Sequence, residues 1–123
     1  MTNLALISVF GIFGVLCRYG IDNLVAPLNS GFPAHTFLVN IIGCAIAGVV
    51  VGLTDRGTLT GPLQIAIMVG FCGGFTTFSA YAVQTATLFL SGKPSVAIVY
   101  SVLSPILGLL AVLLALAVTK RLV

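Results

Sequence analysis

The sequence predicts an all-α membrane protein with four transmembrane helices. Hydrophobic residues make up 59% of its 123 positions and charged residues only 6%, whereas soluble domains carry about 25% charged residues. The few charged residues lie at the ends of four long uncharged runs. A membrane helix needs about 20 predominantly apolar residues to cross the hydrocarbon core. Each run therefore supplies one span, and residues 1–123 form a single transmembrane domain.

The first two spans are separated by a loop. The first span is expected over residues 4–19, and it lacks the basic start and the cleavage site of a removable signal peptide. A loop over residues 21–32 follows, marked by Pro27, Asn29 and Ser30. The second span is expected over residues 35–53, where Pro33 stands near a plausible helix start.

The third run is too long for one straight span, and its centre is poor in helix-forming residues. We expect this span over residues 62–90, with a break near Gly73–Thr77, because the segment GFCGGFTT at 70–77 has the weakest helix propensity in the chain. A turn at residues 91–94 leads to the fourth span over residues 95–118. An unwound segment frees backbone carbonyls, which are tolerated at membrane depth only inside protein or beside a cavity.

The charge distribution hardly favours one orientation. An even number of spans puts both termini and the Asp55–Arg56 turn on one side, together with Lys120 and Arg121. The other side carries Lys93 and, at the end of the first span, Arg18. Orientation follows Lys/Arg asymmetry, and a difference of one basic residue allows insertion both ways up. Two opposed copies would form an antiparallel, dual-topology dimer resembling the inverted repeats of larger transporters.

Small residues recur at the spacing of helix contacts. Gly48 and Gly52 lie four residues apart in the second span, and Gly108, Ala111 and Ala115 follow one face of the fourth. Such positions let helices approach closely in lipid. They indicate packing between spans.

Several polar side chains lie inside the spans, where each needs a partner. Arg18 either extends to the lipid headgroups or acts at a vestibule by attracting anions or pinning helices. Thr36 and Asn40 share one face of the second span, either as interhelical hydrogen-bonding groups or as ligands of a dehydrated ion. The third and fourth spans add Thr76, Thr77, Ser79, Phe78, Tyr81, Ser101 and Ser104.

The chain lacks the residues of an enzyme or a metal centre. It contains no Glu and only one His, and its three Cys fall one per span without metal-ligand spacing. The sequence shows no catalytic constellation and no nucleic-acid-binding pattern. These residues indicate a permeation path, not a reaction.

Three segments together resemble one known family. The segment GFCGGFTTFSAY at 70–81 is similar to the signature of the Fluc (CrcB) fluoride channels. Gly11 and Gly14 lead to Arg18 and Tyr19, as in the glycine-rich first span of that family, and TFLVNIIG at 36–43 resembles its second span. The resemblance covers essentially the whole chain.

The resemblance implies an antiparallel dimer that exports fluoride passively through two pores around a central structural sodium ion. It places sodium-binding backbone carbonyls at Gly73 and Thr76. It implies that the fluoride pathway is lined by Asn40, Phe78, Tyr81, Thr77, Ser79, Ser104 and Thr36, with Arg18 as a structural or vestibule charge. The expected setting is a lipid bilayer, commonly a bacterial inner membrane.

The chain departs from the family pattern at four positions. Tyr81 replaces the second pore Phe and Gln84 replaces the usual Glu, while Ala80 and Gly108 remove hydroxyl donors. The chain is therefore either a homodimer with a modified polar track or one subunit of a heterodimer of paralogues. A small dual-topology multidrug exporter is a rival reading, but such carriers use a Glu that this chain lacks. A regulatory subunit would need no polar residues beside a helix break.

Overall fold

The computed structural model describes residues 2–25 and 31–123, and in this part of the chain the regular structure is entirely helical. The helices are α1 (Thr2–Val25), α2 (Ala34–Asp55), α3 (Gly61–Ile65), a π-helical segment (Ala66–Cys72), α4 (Gly73–Phe75), α5 (Phe78–Leu90) and α6 (Pro94–Leu122). The third span comprises everything from α3 to α5. Four helical stretches are long and apolar enough to cross a membrane, which confirms the all-α, four-span prediction.

The first helix is longer than the sequence pattern suggested. It continues through Asp22 to Val25, so the expectation that a loop begins at residue 21 is wrong. The charge of Asp22 requires this residue to lie outside the hydrocarbon core, but the helix can continue at the membrane surface. A charged residue therefore marks the end of the apolar span and not the end of the helix. Residues 26–30 of the expected loop, including Pro27, Asn29 and Ser30, lie outside the described residues.

The third span is broken, but over a shorter stretch than expected. Gly73–Phe75 form one more helical turn, so the helix does not unwind from Gly73. Only Thr76 and Thr77 have extended backbone, with φ/ψ of −82°/161° and −151°/115°. The glycine-rich stretch stays helical because it packs closely against α1. A Cβ on Gly70 would lie 2.7 Å from the Ile7 carbonyl oxygen, and one on Gly74 would lie 2.5 Å from that of Gly11.

The spans pack as two pairs that meet at the break. α1 lies against the π-helical segment and α4, and α2 lies along α6. A Cβ on Gly52 would approach Thr119 to 2.8 Å, and one on Gly48 would collide with the Val112 carbonyl. The predicted packing role of these small residues is therefore confirmed. α5 leans on α6, which leaves an open groove between the break and α6.

Candidate functional site

The break is held in place by a side chain from another span. The Asn40 amide nitrogen donates to the Thr77 carbonyl at 3.1 Å, and its oxygen accepts from the Thr77 amide at 2.8 Å. In a continuous helix the Thr77 amide would instead bond the Gly73 carbonyl. Asn40 thus replaces the hydrogen bond that the Thr77 amide loses at the break and adds a second bond to the Thr77 carbonyl. One of its two amide N–H groups remains outside this pair of bonds.

The guanidinium of Arg18 reaches the same break from α1. It donates to the Thr76 carbonyl at 3.4 Å. This contact fits the helix-pinning interpretation of Arg18 better than extension to the headgroups. Arg18 also lines a cleft of about 290 Å³ together with Asp22, His35, Thr36 and Thr77. The cleft therefore contains one cationic and one anionic side chain, and Arg18 is the group that can attract an anion there.

The two threonines of the break stabilise the helix ends on either side. Thr76 Oγ1 donates to the Cys72 carbonyl at 2.8 Å and closes the helix before the break. Thr77 Oγ1 accepts from the Ala80 amide at 3.2 Å and so caps α5. Ser79 Oγ lies 3.2 Å from Thr77 Oγ1. A two-residue break is therefore compatible with membrane depth because side chains satisfy its neighbouring backbone groups.

An open groove of about 340 Å³ runs from the break along α6. Five of the residues predicted for an ion pathway line it, namely Asn40, Thr77, Phe78, Tyr81 and Ser104. Thr76 and Gly108 line it as well. The geometry thus brings most of the predicted residues to one surface. Ser79 lies beside Thr77 near the groove, whereas Thr36 lies in the Arg18 cleft, which adjoins the groove at Thr77.

A row of aromatic rings begins in this groove. The ring of Phe78 is 79% exposed, and its centroid lies 5.5 Å from that of Tyr81. Tyr81 lies 5.3 Å from Tyr100, and Tyr100 lies 5.4 Å from Phe32 with the rings nearly perpendicular. The row therefore runs from the exposed ring of Phe78 through the buried ring of Tyr100 to Phe32, just before α2. Phe78 lacks a covering partner among the described residues of this single chain.

The extra hydroxyl of Tyr81 has a specific acceptor. Tyr81 Oη donates to the Ser101 carbonyl at 2.9 Å. That carbonyl would ordinarily accept the amide four residues later, but residue 105 is Pro and has no amide hydrogen. Ser104 Oγ donates to the Tyr100 carbonyl at 2.7 Å, so its lone pairs, and not its proton, face the groove.

A four-residue polar cluster beside α2 was not predicted as a unit. The Gln84 side chain contacts His35, Thr36 and Tyr100 within hydrogen-bonding distance. Sequence analysis singled out Thr36 as a pathway residue and Gln84 as a departure from the family pattern, but it assigned no role to the single His, His35, and did not identify Tyr100. One signal was available for Tyr100, since it lies four residues before Ser104 and so on the same face of α6.

Comparison with known proteins agrees with this arrangement. A family model described as "CrcB-like protein, Camphor Resistance (CrcB)" matches residues 5–116. A protein of Pseudomonas fluorescens (strain Pf0-1), named fluoride-specific ion channel FluC, is 40% identical over 93% of this chain and 94% of its own length. Proteins of the same name from Methylobacillus flagellatus and Thermus thermophilus are 34% and 37% identical, covering 98% and 89% of this chain and 96% and 88% of their own lengths.

The matches extend over nearly the whole chain and include all four spans and the break. The relatives are named as ion channels, and the residues around the groove supply hydrogen bonds and aromatic surface without a catalytic constellation. The chain therefore belongs to the CrcB family, as a multi-pass membrane protein of a channel family and not an enzyme.

Proposed function

We propose that this chain is the subunit of a fluoride-selective channel that lets fluoride leave the cell passively. The observation that carries the proposal is the groove in which Asn40, Thr77, Phe78 and Tyr81 meet at a helix break held by Asn40. The names of the relatives support the choice of ion. A bacterial inner membrane is the setting we propose.

The groove offers the chemistry that fluoride requires. Fluoride holds its water tightly, so a pore must replace that shell with other donors. The free N–H of Asn40 can supply such a donor, and so can one hydroxyl of the Thr77–Ser79 pair, since their mutual contact uses only one of their two protons. The positive edges of aromatic rings attract an anion, and the rings of Phe78 and Tyr81 narrow the space for larger halides. Arg18 at the adjoining cleft offers an anion a positive charge, beside the negative charge of Asp22.

A single chain leaves the groove open, so we propose that a second copy covers it in antiparallel orientation. Phe78 is 79% exposed in the single chain, so a second subunit is needed to enclose an ion against this ring. The nearly balanced basic residues on the two sides support insertion in both orientations. Two copies related in this way contain two grooves and hence two pores. A paralogous subunit could take the place of the second copy.

We further propose that a structural sodium ion joins the two breaks. The ligands would be the carbonyls of Gly73 and Thr76, since oxygen atoms are the donors that hard cations prefer. The Gly73 carbonyl has lost its usual partner, because the Thr77 amide bonds Asn40. The Thr76 carbonyl keeps a lone pair beside its long contact with Arg18. These donors suit a sodium ion, which would offset part of the cost of bringing an anion into the membrane.

Fluoride efflux from liposomes tests the proposal directly. Purified protein is reconstituted with internal fluoride or chloride, and the release of each ion is followed with ion-selective electrodes. We expect rapid fluoride release and negligible chloride release. Replacing Phe78 with Ile removes the ring and should slow fluoride release at least tenfold. Phe89→Ile is the matched control, since Phe89 lies on the same helix outside the groove.

Two outcomes would change the proposal. If this chain alone releases no fluoride but a mixture with a paralogue does, the channel is a heterodimer. If neither preparation releases fluoride, the assignment as a fluoride channel is wrong.

A further inference from the structure

We propose that His35 is a positioning residue of the ion pathway, which holds the Gln84 side chain in one orientation when neutral and reverses it when protonated, slowing fluoride at acidic pH. The inference rests on the proposed function and adds a pH response to it. It concerns four residues, His35, Thr36, Gln84 and Tyr100, which we call the Gln84 cluster.

The hydrogen bonds of the Gln84 cluster determine where the proton of His35 lies. Gln84 Nε2 is 3.1 Å from His35 Nε2 and 2.8 Å from Thr36 Oγ1, and Gln84 Oε1 accepts from the Tyr100 hydroxyl at 2.9 Å. An amide nitrogen only donates, so His35 Nε2 must be an acceptor. The imidazole is therefore neutral, with its proton on Nδ1, which is buried without a hydrogen-bond partner among the described residues.

Protonation of His35 is incompatible with this arrangement. The imidazolium carries hydrogen on both nitrogens, so its Nε2 and the Gln84 amide nitrogen would be two donors facing each other. A half-turn of the Gln84 amide removes the conflict by placing Oε1 toward His35 and Thr36. Thr36 then donates instead of accepting, and Tyr100 accepts instead of donating. A hydroxyl group can either donate or accept a hydrogen bond, so Gln84 keeps its contacts with His35, Thr36 and Tyr100 in both orientations.

The two orientations differ in what Thr36 offers to an ion. With His35 neutral, Thr36 accepts from Gln84, and its own proton is not committed to that residue. With His35 charged, the Thr36 proton is directed at Gln84 Oε1. Thr36 lines the cleft that contains Arg18 and Thr77. In this second orientation the Tyr100 hydroxyl no longer donates to Gln84. Because Tyr100 is completely buried, its O–H group does not reach that cleft. Acid therefore removes one donor from the path.

Several charged or titratable groups lie around His35. Arg18, Tyr19 and Asp22 of α1 line the same cleft as His35. Lys93, just before α6, lies near Gly31, and α6 itself contributes Tyr100. On α5, Tyr81 lies three residues before Gln84 and packs its ring 5.3 Å from that of Tyr100.

The first experiment measures fluoride efflux from liposomes at equal internal and external pH between 8.0 and 5.5. Protein-free liposomes correct for hydrogen fluoride that crosses the lipid. We expect efflux through the wild-type protein to fall by about fivefold, the rate change that one hydrogen bond of about 1 kcal/mol produces. His35→Asn offers Gln84 a carbonyl acceptor that does not titrate, so it should conduct without the acidic decline. Asp22→Asn should keep the decline and so excludes Asp22 as its source.

The second experiment locates the proton without measuring transport. The chain has one histidine, so ¹⁵N-labelled histidine gives a single assigned imidazole in NMR spectra. We expect the Nδ1–H tautomer at pH 8 and the doubly protonated ring in acid. An Nε2–H tautomer at pH 8, an efflux that rises in acid, or an equal decline in His35→Asn would overturn the inference. An absence of efflux at every pH contradicts the proposed function instead, and the tautomer still tests the orientation of Gln84.

Discussion

Individual side chains replace the backbone hydrogen bonds that this fold gives up within the membrane. Asn40 bonds both polar backbone groups of Thr77 at the break. Tyr81 performs the same task at Pro105, where it donates to the Ser101 carbonyl. Unsatisfied backbone groups cost several kcal/mol in hydrocarbon. The departure from Phe to Tyr at position 81 is thus explained by a carbonyl that proline leaves free.

A double-mutant cycle tests this pairing. Tyr81→Phe removes the donor and should lower stability by about 1 kcal/mol. Pro105→Ala restores an amide that can bond Ser101 within α6, so Tyr81→Phe should cost much less in that background. Thermal unfolding in detergent, followed by circular dichroism, measures both differences. Equal losses in the two backgrounds would show that Tyr81 and Pro105 are not coupled.

Among the helices, glycine serves packing more than flexibility. The segment from Gly70 to Gly74 was expected to unwind because of its low helix propensity. It remains helical because Gly70 and Gly74, with Gly11 and Gly14 of α1, allow two backbones to touch. The helix breaks only at Thr76 and Thr77, whose backbone groups find side-chain partners in Arg18 of α1 and Asn40 of α2. Close packing therefore outweighs propensity in this span.

A matched pair of glycines on α1 tests this conclusion. A Cβ on Gly14 would collide with the Phe71 carbonyl, whereas a Cβ on Gly20 meets no atom within 4 Å. We expect Gly14→Ala to lower the unfolding temperature and the yield of folded protein. Gly20→Ala should be neutral or stabilise α1 by up to about 1 kcal/mol. Similar behaviour of the two variants in detergent would show that the α1 contact contributes little.

At the scale of the whole molecule, the proposed antiparallel pair requires that the chain insert into the membrane in both orientations. The nearly equal numbers of basic residues on its two sides allow this. Adding Lys at Thr58 and Thr60 should direct the 54–60 turn to the cytoplasm in every copy, and adding Lys at Asn23 and Ser95 should do the reverse. Each variant alone should lose fluoride efflux, because opposed pairs cannot form. Co-expression of the two should restore it, as measured in liposomes.

One result would contradict the proposed antiparallel pair. Full efflux from either variant expressed alone, with its orientation verified by labelling of an introduced surface cysteine, would show that opposed copies are not needed.

The sequence by itself determined the four spans, the presence of a break and the membrane setting, because these depend on local runs of apolar residues and on local helix propensity. It also pointed to Asn40, Phe78 and Tyr81 through a family resemblance. Only the tertiary structure decided which residues meet. Asn40 and Thr77 lie 37 positions apart, and Gln84 lies 49 from His35. Such contacts arise from the packing of whole helices, which no local pattern encodes. Packing between helices also explains why the break is shorter than expected. Contact with α1 keeps Gly70 and Gly74 helical, so this span leaves the helical conformation only at Thr76 and Thr77.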